Sequence, residues 1–263
     1  MRMNLQGYVV FITGGGSSLG EGIAQAVTEK GAAVVLADIN TDSAKKVADK
    51  LKVAGHKAIV VKMDVTNEND IQRTIEEAEA AMGKIDVLVN NAGITKMQNI
   101  EDISKQDWDT VFAINVCGLF RCCQVFADIV KKKNASGKII NIASNAAKVT
   151  FPGQAHYNAS KAAVTNMTQS LAKELAPAIN VNAVCPGAVD TEMLKSCMVQ
   201  TIESDLENKN MKISDLREAW SPPQLGRLIQ PIEVGRVVAF LASDDALIIR
   251  GQSISVDAGN TPY

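Results

Sequence analysis

Apolar residues along this chain come in short, β-branched runs, separated by longer stretches in which apolar and polar positions alternate with helical spacing. The runs fall at residues 9–13, 33–38, 58–64, 85–90, 138–144, 180–185 and 252–257. Each is of strand length and nearly all apolar, the pattern of strands buried on both faces of a parallel sheet. Between them, residues 19–30, 43–53 and 68–82 carry apolar side chains every three or four positions and predict amphipathic helices. Gly31, Gly55 and Gly83 stand where helix C-terminal caps belong. Longer helices are expected over 108–133 and 156–176, and a last one over 232–242. Strand and helix alternate from end to end. The pattern predicts one doubly wound α/β domain over residues 1–263, a seven-stranded parallel sheet with helices on both faces. The exception is 191–231, long and strand-free, which is expected to form a helical lid at the carboxyl edge of the sheet, where such folds bind ligands.

Composition narrows the chemistry. The 263 residues hold 27 Lys+Arg against 29 Asp+Glu, a net charge of −2. That balance gives no field to gather nucleic acid or anionic lipid, so neither is expected as a partner. Two histidines, His56 and His156, cannot build a His-rich zinc site, and no metal is expected. Five cysteines without a C-x-x-C pair argue against a disulfide scaffold or zinc ribbon and fit a reducing cytoplasm. The first apolar run breaks at glycine too early for a signal peptide, and no other run approaches a membrane span. Only three tyrosines are present, so any acid–base role for tyrosine has few candidates.

The first strand runs straight into Thr13-Gly14-Gly15-Gly16-Ser17-Ser18-Leu19-Gly20 and then a helix. Glycine there lets the chain turn tightly and present backbone N–H groups to a pyrophosphate at the helix N-terminus. Gly14, Ser17, Ser18 and Leu19 are the candidate contacts. The second strand ends in Asp38, whose carboxylate can accept hydrogen bonds from the ribose hydroxyls of NAD and would repel a 2′-phosphate. None of Gly16, Ser17, Ile39 or Asn40 offers a cation for such a phosphate, so NAD is the expected cofactor.

Further along come Asn90-Asn91-Ala92-Gly93, Asn115, Ser144, Tyr157-Asn-Ala-Ser-Lys161 and Pro186-Gly-Ala-Val-Asp-Thr191. With these in order, essentially the whole chain resembles the short-chain dehydrogenase/reductase family, which has a Rossmann-like fold. Tyr157 and Lys161 are four apart and share one helix face. A nearby ammonium favours the phenolate and can bring the phenol toward working range. The resemblance assigns proton exchange to Tyr157, which also contacts cofactor and substrate, and to Lys161 the lowering of its pKa and binding of the nicotinamide ribose. It has Ser144 orient the substrate and Asn115, with water, link the lysine to solvent. Asp64 and Val65 match the residues that hold the adenine, although Asp64 also suits a turn with Thr66. Asn91 matches a backbone contact to ribose, and Val189 and Thr191 match the pair that grips the nicotinamide carboxamide.

Two positions depart from the family pattern. Ser18 replaces the middle glycine of the turn, crowding the pyrophosphate unless its hydroxyl takes over a hydrogen bond. Ala258 stands where a second glycine is common, with little effect expected. The resemblance implies reversible oxidation of a secondary alcohol to a ketone. The lid is similar to those of polyol, sugar and acetoin-type dehydrogenases, and Asn145 and Gln154 are polar residues that a small polar substrate could use. His156 is a candidate for a substrate, surface or interface role. Alternatives are a 3-oxoacyl-thioester reductase, a hydroxysteroid dehydrogenase, or a non-catalytic NAD-binding regulatory protein. Assembly as a homotetramer, through the long helices and the C-terminal helix and strand, is also implied.

Overall fold

The computed structural model describes residues 3–204 and 211–261. Seven apolar segments pair in parallel: β1 (Val9–Thr13), β2 (Ala33–Asp38), β3 (Ala58–Lys62), β4 (Val87–Asn90), β5 (Gly137–Ile142), β6 (Ile179–Pro186) and β7 (Ser253–Val256), in the order β3-β2-β1-β4-β5-β6-β7. The chain reverses direction across the sheet between β3 and β4, which opens a crevice beyond the carboxyl ends of β1 and β4. β3 ends at Lys62, two residues earlier than its apolar run suggests, because Asp64 is drawn into a turn.

Helices α1 (Ser18–Thr28), α2 (Thr41–Val53) and α9 (Pro231–Ala242) cover one face. Helices α3 (Glu68–Met82), α5 (Leu119–Lys132) and α6 (Ala155–Glu174) cover the other. On the first face α1 and α9 meet backbone to backbone, since a Cβ on Gly22 or Gly235 would strike the opposing helix.

The helix expected over 108–133 starts earlier, as α4 (Lys105–Phe112), because Ser104 and Asp107 form a reciprocal capping box. A π-helical segment, Ala113–Gly118, joins α4 to α5. The expectation that no run approaches a membrane span is corrected here. The continuous helix Lys105–Lys132 is long and apolar enough to cross a membrane, but its apolar face, with Leu119, Cys122, Val125 and Phe126, packs on the sheet.

Residues 191–231 hold α7 (Glu192–Ser204) and α8 (Ile213–Trp220) around a small core of Met198, Leu216 and Leu228. Residues 205–210 of the expected lid lie outside the described ones. Near the C-terminus Ala258 adopts φ +52°, the left-handed region. Its replacement of glycine is therefore not neutral, because a Cβ in that conformation costs about 1–2 kcal/mol.

Candidate active site

The turn after β1 is held by side chains from elsewhere. Gly14 has φ +62°, and a Cβ on it would lie 3.0 Å from Ala92 Cα. The Asn91 amide donates to the Thr13 and Gly14 carbonyls at 2.9 Å each. The Thr13 hydroxyl accepts the N–H groups of Asn91 (3.0 Å) and Ala92 (2.9 Å). Thr13 was not among the expected site residues, and the side chain of Asn91 is committed to holding this turn. Ser17 caps α1, accepting from Gly20 N–H at 3.1 Å and donating to the Gly14 carbonyl at 2.8 Å. Leu19 is half-buried against the core. The Ser18 hydroxyl accepts from the backbone N–H of Glu192 at 3.4 Å, so in this structure it touches the lid.

Asp38 stands at the crest of this turn. One carboxylate oxygen accepts from Gly16 N–H and the other from Asn40 N–H, both at 2.8 Å. Each oxygen keeps further acceptor capacity for a hydroxyl. Asp64 uses one oxygen on the N–H (2.8 Å) and hydroxyl (2.7 Å) of Thr66, so the turn it suited is formed. The backbone of Val65 presses on Gly118, where no side chain would fit.

Across the crevice, Ser144 follows β5 and is buried; its hydroxyl accepts from Ala146 N–H at 3.1 Å and donates to the Asn145 amide oxygen at 3.4 Å. Asn145 thus lies directly beside Ser144. Tyr157 and Lys161 lie one turn apart on α6, with Lys161 Nζ 5.7 Å from the centre of the tyrosine ring. The ammonium is buried and donates to the Ile142 carbonyl at 2.8 Å. Asn115 lies in the π-helical segment and is fully buried. It clasps the backbone of Ile94, accepting its N–H (2.9 Å) and donating to its carbonyl (3.0 Å), and it donates to Ser160 Oγ at 3.0 Å. Single π-turns of this kind re-aim side chains at functional sites. Between Asn115 and Lys161 stands Gly93. A Cβ there would lie 3.2 Å from Asn115 Oδ1 and 3.4 Å from Lys161 Nζ, so a side chain at this position would crowd both.

Burial governs the ionisation of this cluster. It pushes the Tyr157 phenol up to about 12, against an opposing hydrogen-bonding pull from Ser144. It pushes the Lys161 ammonium down to about 8. In the chain alone burial sets the direction of the Tyr157 shift, and the lysine ammonium donates to a carbonyl. The Tyr157 phenol is therefore neutral near neutral pH.

At the root of the lid, buried Val189 bridges to Ile229, and the Thr191 hydroxyl accepts from Leu194 N–H at 3.2 Å. Asp190 between them is clamped by Arg217 of α8 at 2.8 and 2.7 Å. The Gln154 amide reaches Thr95 Oγ1 (3.4 Å) and Cys197 Sγ of α7 (3.9 Å). Gln200 of α7 accepts from Met97 N–H at 2.8 Å. His156 is fully buried and does not join this cluster, which excludes a surface position. Thr95, Cys197 and Arg217 carry no local motif, and only the tertiary structure brings them here.

Known proteins extend this picture. The profile of a family described as "Enoyl-(Acyl carrier protein) reductase" matches residues 14–261. Oxidoreductase UcpA of Salmonella typhimurium is 38% identical over 260 residues, covering 98% of this chain and 95% of its own. A diacetyl reductase, (S)-acetoin forming, of Staphylococcus epidermidis is 36% identical over 250 residues, covering 94% and 96%. The crystal structure of levodione reductase superposes with a TM-score of 0.88 at 30% identity, covering 97% of each chain. The chain belongs to the short-chain dehydrogenase/reductase family and is an oxidoreductase of that family.

Proposed function

We propose that this enzyme is an NAD-dependent oxidoreductase interconverting a secondary alcohol and a ketone, with Tyr157 as acid and base, on a polyol, sugar or other small polar alcohol. The observation that carries this reading is the meeting of Tyr157, Lys161 and Ser144 at the same sheet edge as the glycine turn and Asp38.

The residues present fit a dinucleotide. The turn is narrowed to backbone by Gly14 and Gly16, the N-terminus of α1 opens beside it, and the Asp38 carboxylate is fixed over Gly16 for a ribose diol. Asp64, Val65, Asn91, Val189 and Thr191 surround this path and remain the proposed further contacts. A bound nicotinamide supplies or accepts the hydride at the substrate carbon. In ketone reduction the neutral Tyr157 phenol gives its proton to the substrate oxygen, and in oxidation Oη takes the hydroxyl proton. The Ser144 hydroxyl holds that same oxygen in place. Charged Lys161 favours the phenolate during oxidation. The proposed link from Lys161 past Asn115 runs beside Gly93, where a side chain would crowd both.

A small polar substrate is supported by the polar side chains that meet at Gln154, Thr95 and Cys197, and by the similarity to a diacetyl reductase. Reduction of acyl thioesters is the second reading, favoured by the description of the matching family. We place the enzyme in the cytoplasm as a homotetramer. Initial rates with NAD and NADP over polyols, hydroxyketones, a hydroxysteroid and a 3-oxoacyl thioester test the reading. NAD-linked turnover of small polar alcohols is expected. Tighter binding of NADP(H) contradicts the role of Asp38, and activity confined to the thioester or the steroid contradicts the substrate class.

A further inference from the structure

Helices α5 and α6 cover the same face of the sheet but are held to it differently. The buried side chains of α5 are Leu119, Cys122, Cys123, Val125, Phe126 and Val130, all apolar. The helix that carries Tyr157 and Lys161 buries more polar side chains than apolar ones; Val164, Leu171 and Ala172 are its buried apolar positions. Apolar attraction is non-directional, whereas a hydrogen bond fixes both distance and angle.

The polar grip on α6 takes the same form at two heights. Beside the active site, the Asn115 amide donates to Ser160 Oγ at 3.0 Å, and that hydroxyl donates to the Tyr157 carbonyl at 2.8 Å. Eight residues on, about 12 Å along the helix axis, the Asn141 amide donates to Thr168 Oγ1 at 2.9 Å. That hydroxyl in turn donates to the Val164 carbonyl at 2.8 Å. Each hydroxyl commits its proton to its own helix, so it meets the asparagine only as an acceptor. All four side chains are fully buried. Thr165, between the two heights, is a contrast. Its hydroxyl donates to the Ala162 carbonyl at 2.8 Å and joins no such relay among the described residues.

The second relay continues into the sheet. Asn141 Oδ1 accepts from the Asn90 amide at 2.9 Å, and the two residues are partners across β4 and β5. On β5, Asn141 precedes Ile142, whose carbonyl takes the Lys161 ammonium at 2.8 Å, and Ser144 follows directly after the strand. A slide of α6 along β5 would break the Asn141–Thr168 bond and carry Tyr157 and Lys161 past Ser144 together. We infer that Asn141 and Thr168 are positioning residues of this enzyme. The bond between them sets the height of α6 on the sheet, and with it the places of Tyr157 and Lys161 opposite Ser144. The inference rests on the proposed reading of Tyr157 as acid and base. Thr168 lies about 10 Å along the axis from Lys161, so it acts through the helix and not on the substrate.

The test separates the hydroxyl of Thr168 from its methyl group. Thr168→Val keeps the shape and removes the acceptor, leaving an Asn141 N–H buried without a partner. Its kcat for alcohol oxidation, per site titrated with NADH, is expected to fall about tenfold, since a misplacement of ~1 Å can cost about 10²-fold. NADH affinity is expected to change far less. Thr168→Ser keeps the hydroxyl and loses a buried methyl, so it is expected to lose stability in denaturant while keeping kcat. Thr168→Ala, which lacks both groups, is expected to lose kcat as Thr168→Val does and serves where the valine variant folds poorly. Thr165→Val is expected to leave kcat unchanged. Crystals of the wild type and Thr168→Val read the height without turnover, and a displacement of α6 along β5 by about 0.5–1 Å is expected. Full kcat in both Thr168→Val and Thr168→Ala overturns the inference, as do equal losses in Thr168→Ser and Thr168→Ala. An unmoved α6, or a like loss in Thr165→Val, overturns it too. Full activity of Tyr157→Phe contradicts the reading of the reaction instead, and the place of α6 in the crystals then decides the inference by itself.

Discussion

The turn after β1 and the segment 191–231 face each other across the same crevice, yet they are held in different ways. The turn is defined by backbone: Gly14 at φ +62°, Gly16 against α2, and the Thr13 and Asn91 side chains bonded to main-chain atoms. The lid is defined by side chains meeting at a distance: Arg217 on Asp190, Gln154 against Cys197, and Gln200 on the Met97 N–H. Backbone geometry tolerates few residue types, whereas side-chain contacts can be exchanged one at a time.

The Tyr157–Lys161–Ser144 cluster sits between these regions and gives the largest expected effect. Tyr157→Phe should lower turnover by about 10²–10⁴-fold, the span of general acid–base catalysis, while leaving cofactor affinity unchanged. Steady-state rates and a fluorescence titration of NADH separate the two quantities. Full activity in this variant would favour a non-catalytic role for the cluster.

On the backbone side, Gly16→Ala puts a Cβ 2.7 Å from Ala44 N and 3.0 Å from Ser43 Cβ. The first turn of α2 must move, and a loss of about 1–3 kcal/mol in denaturant unfolding is expected, together with weaker NAD binding. Unchanged stability would mean that this turn is less constrained than its contacts imply.

The lid should be more forgiving. Arg217→Ala removes a bidentate but partly exposed pair, with side chains 44% and 33% accessible. A rise in KM of less than about fivefold, with kcat unchanged, is expected for such a pair. Steady-state kinetics at low and high salt check this, since salt should narrow the gap between the wild type and the variant. A collapse of kcat would make the pair part of the machinery and dissolve the contrast.

What could be read in advance follows the same division. The strands, the glycine turn, Asp38 and the Tyr157–Lys161 spacing are local patterns, and each stands in the fold where the pattern put it. The π-helical turn that carries Asn115 has no local signature, because its extra residue is accommodated by packing against Val65 and Ile94. Nor could the direction of the Tyr157 shift be read, because it depends on desolvation that only the packed structure supplies. Ala258 at φ +52° and the isolated ring of His156 were invisible for the same reason: both are set by tertiary context.

The central claim is that a half-buried phenol, neutral near neutral pH, exchanges the proton under the influence of a lysine that titrates at about 8. The pH dependence of alcohol oxidation tests it most directly. Oxidation needs the phenolate, so kcat should rise about tenfold per pH unit below the lysine's range. It should flatten above about 8, where Lys161 loses its proton and no longer favours the phenolate. A profile that is flat or falling below that point, or the same rise persisting in Tyr157→Phe, would contradict the account.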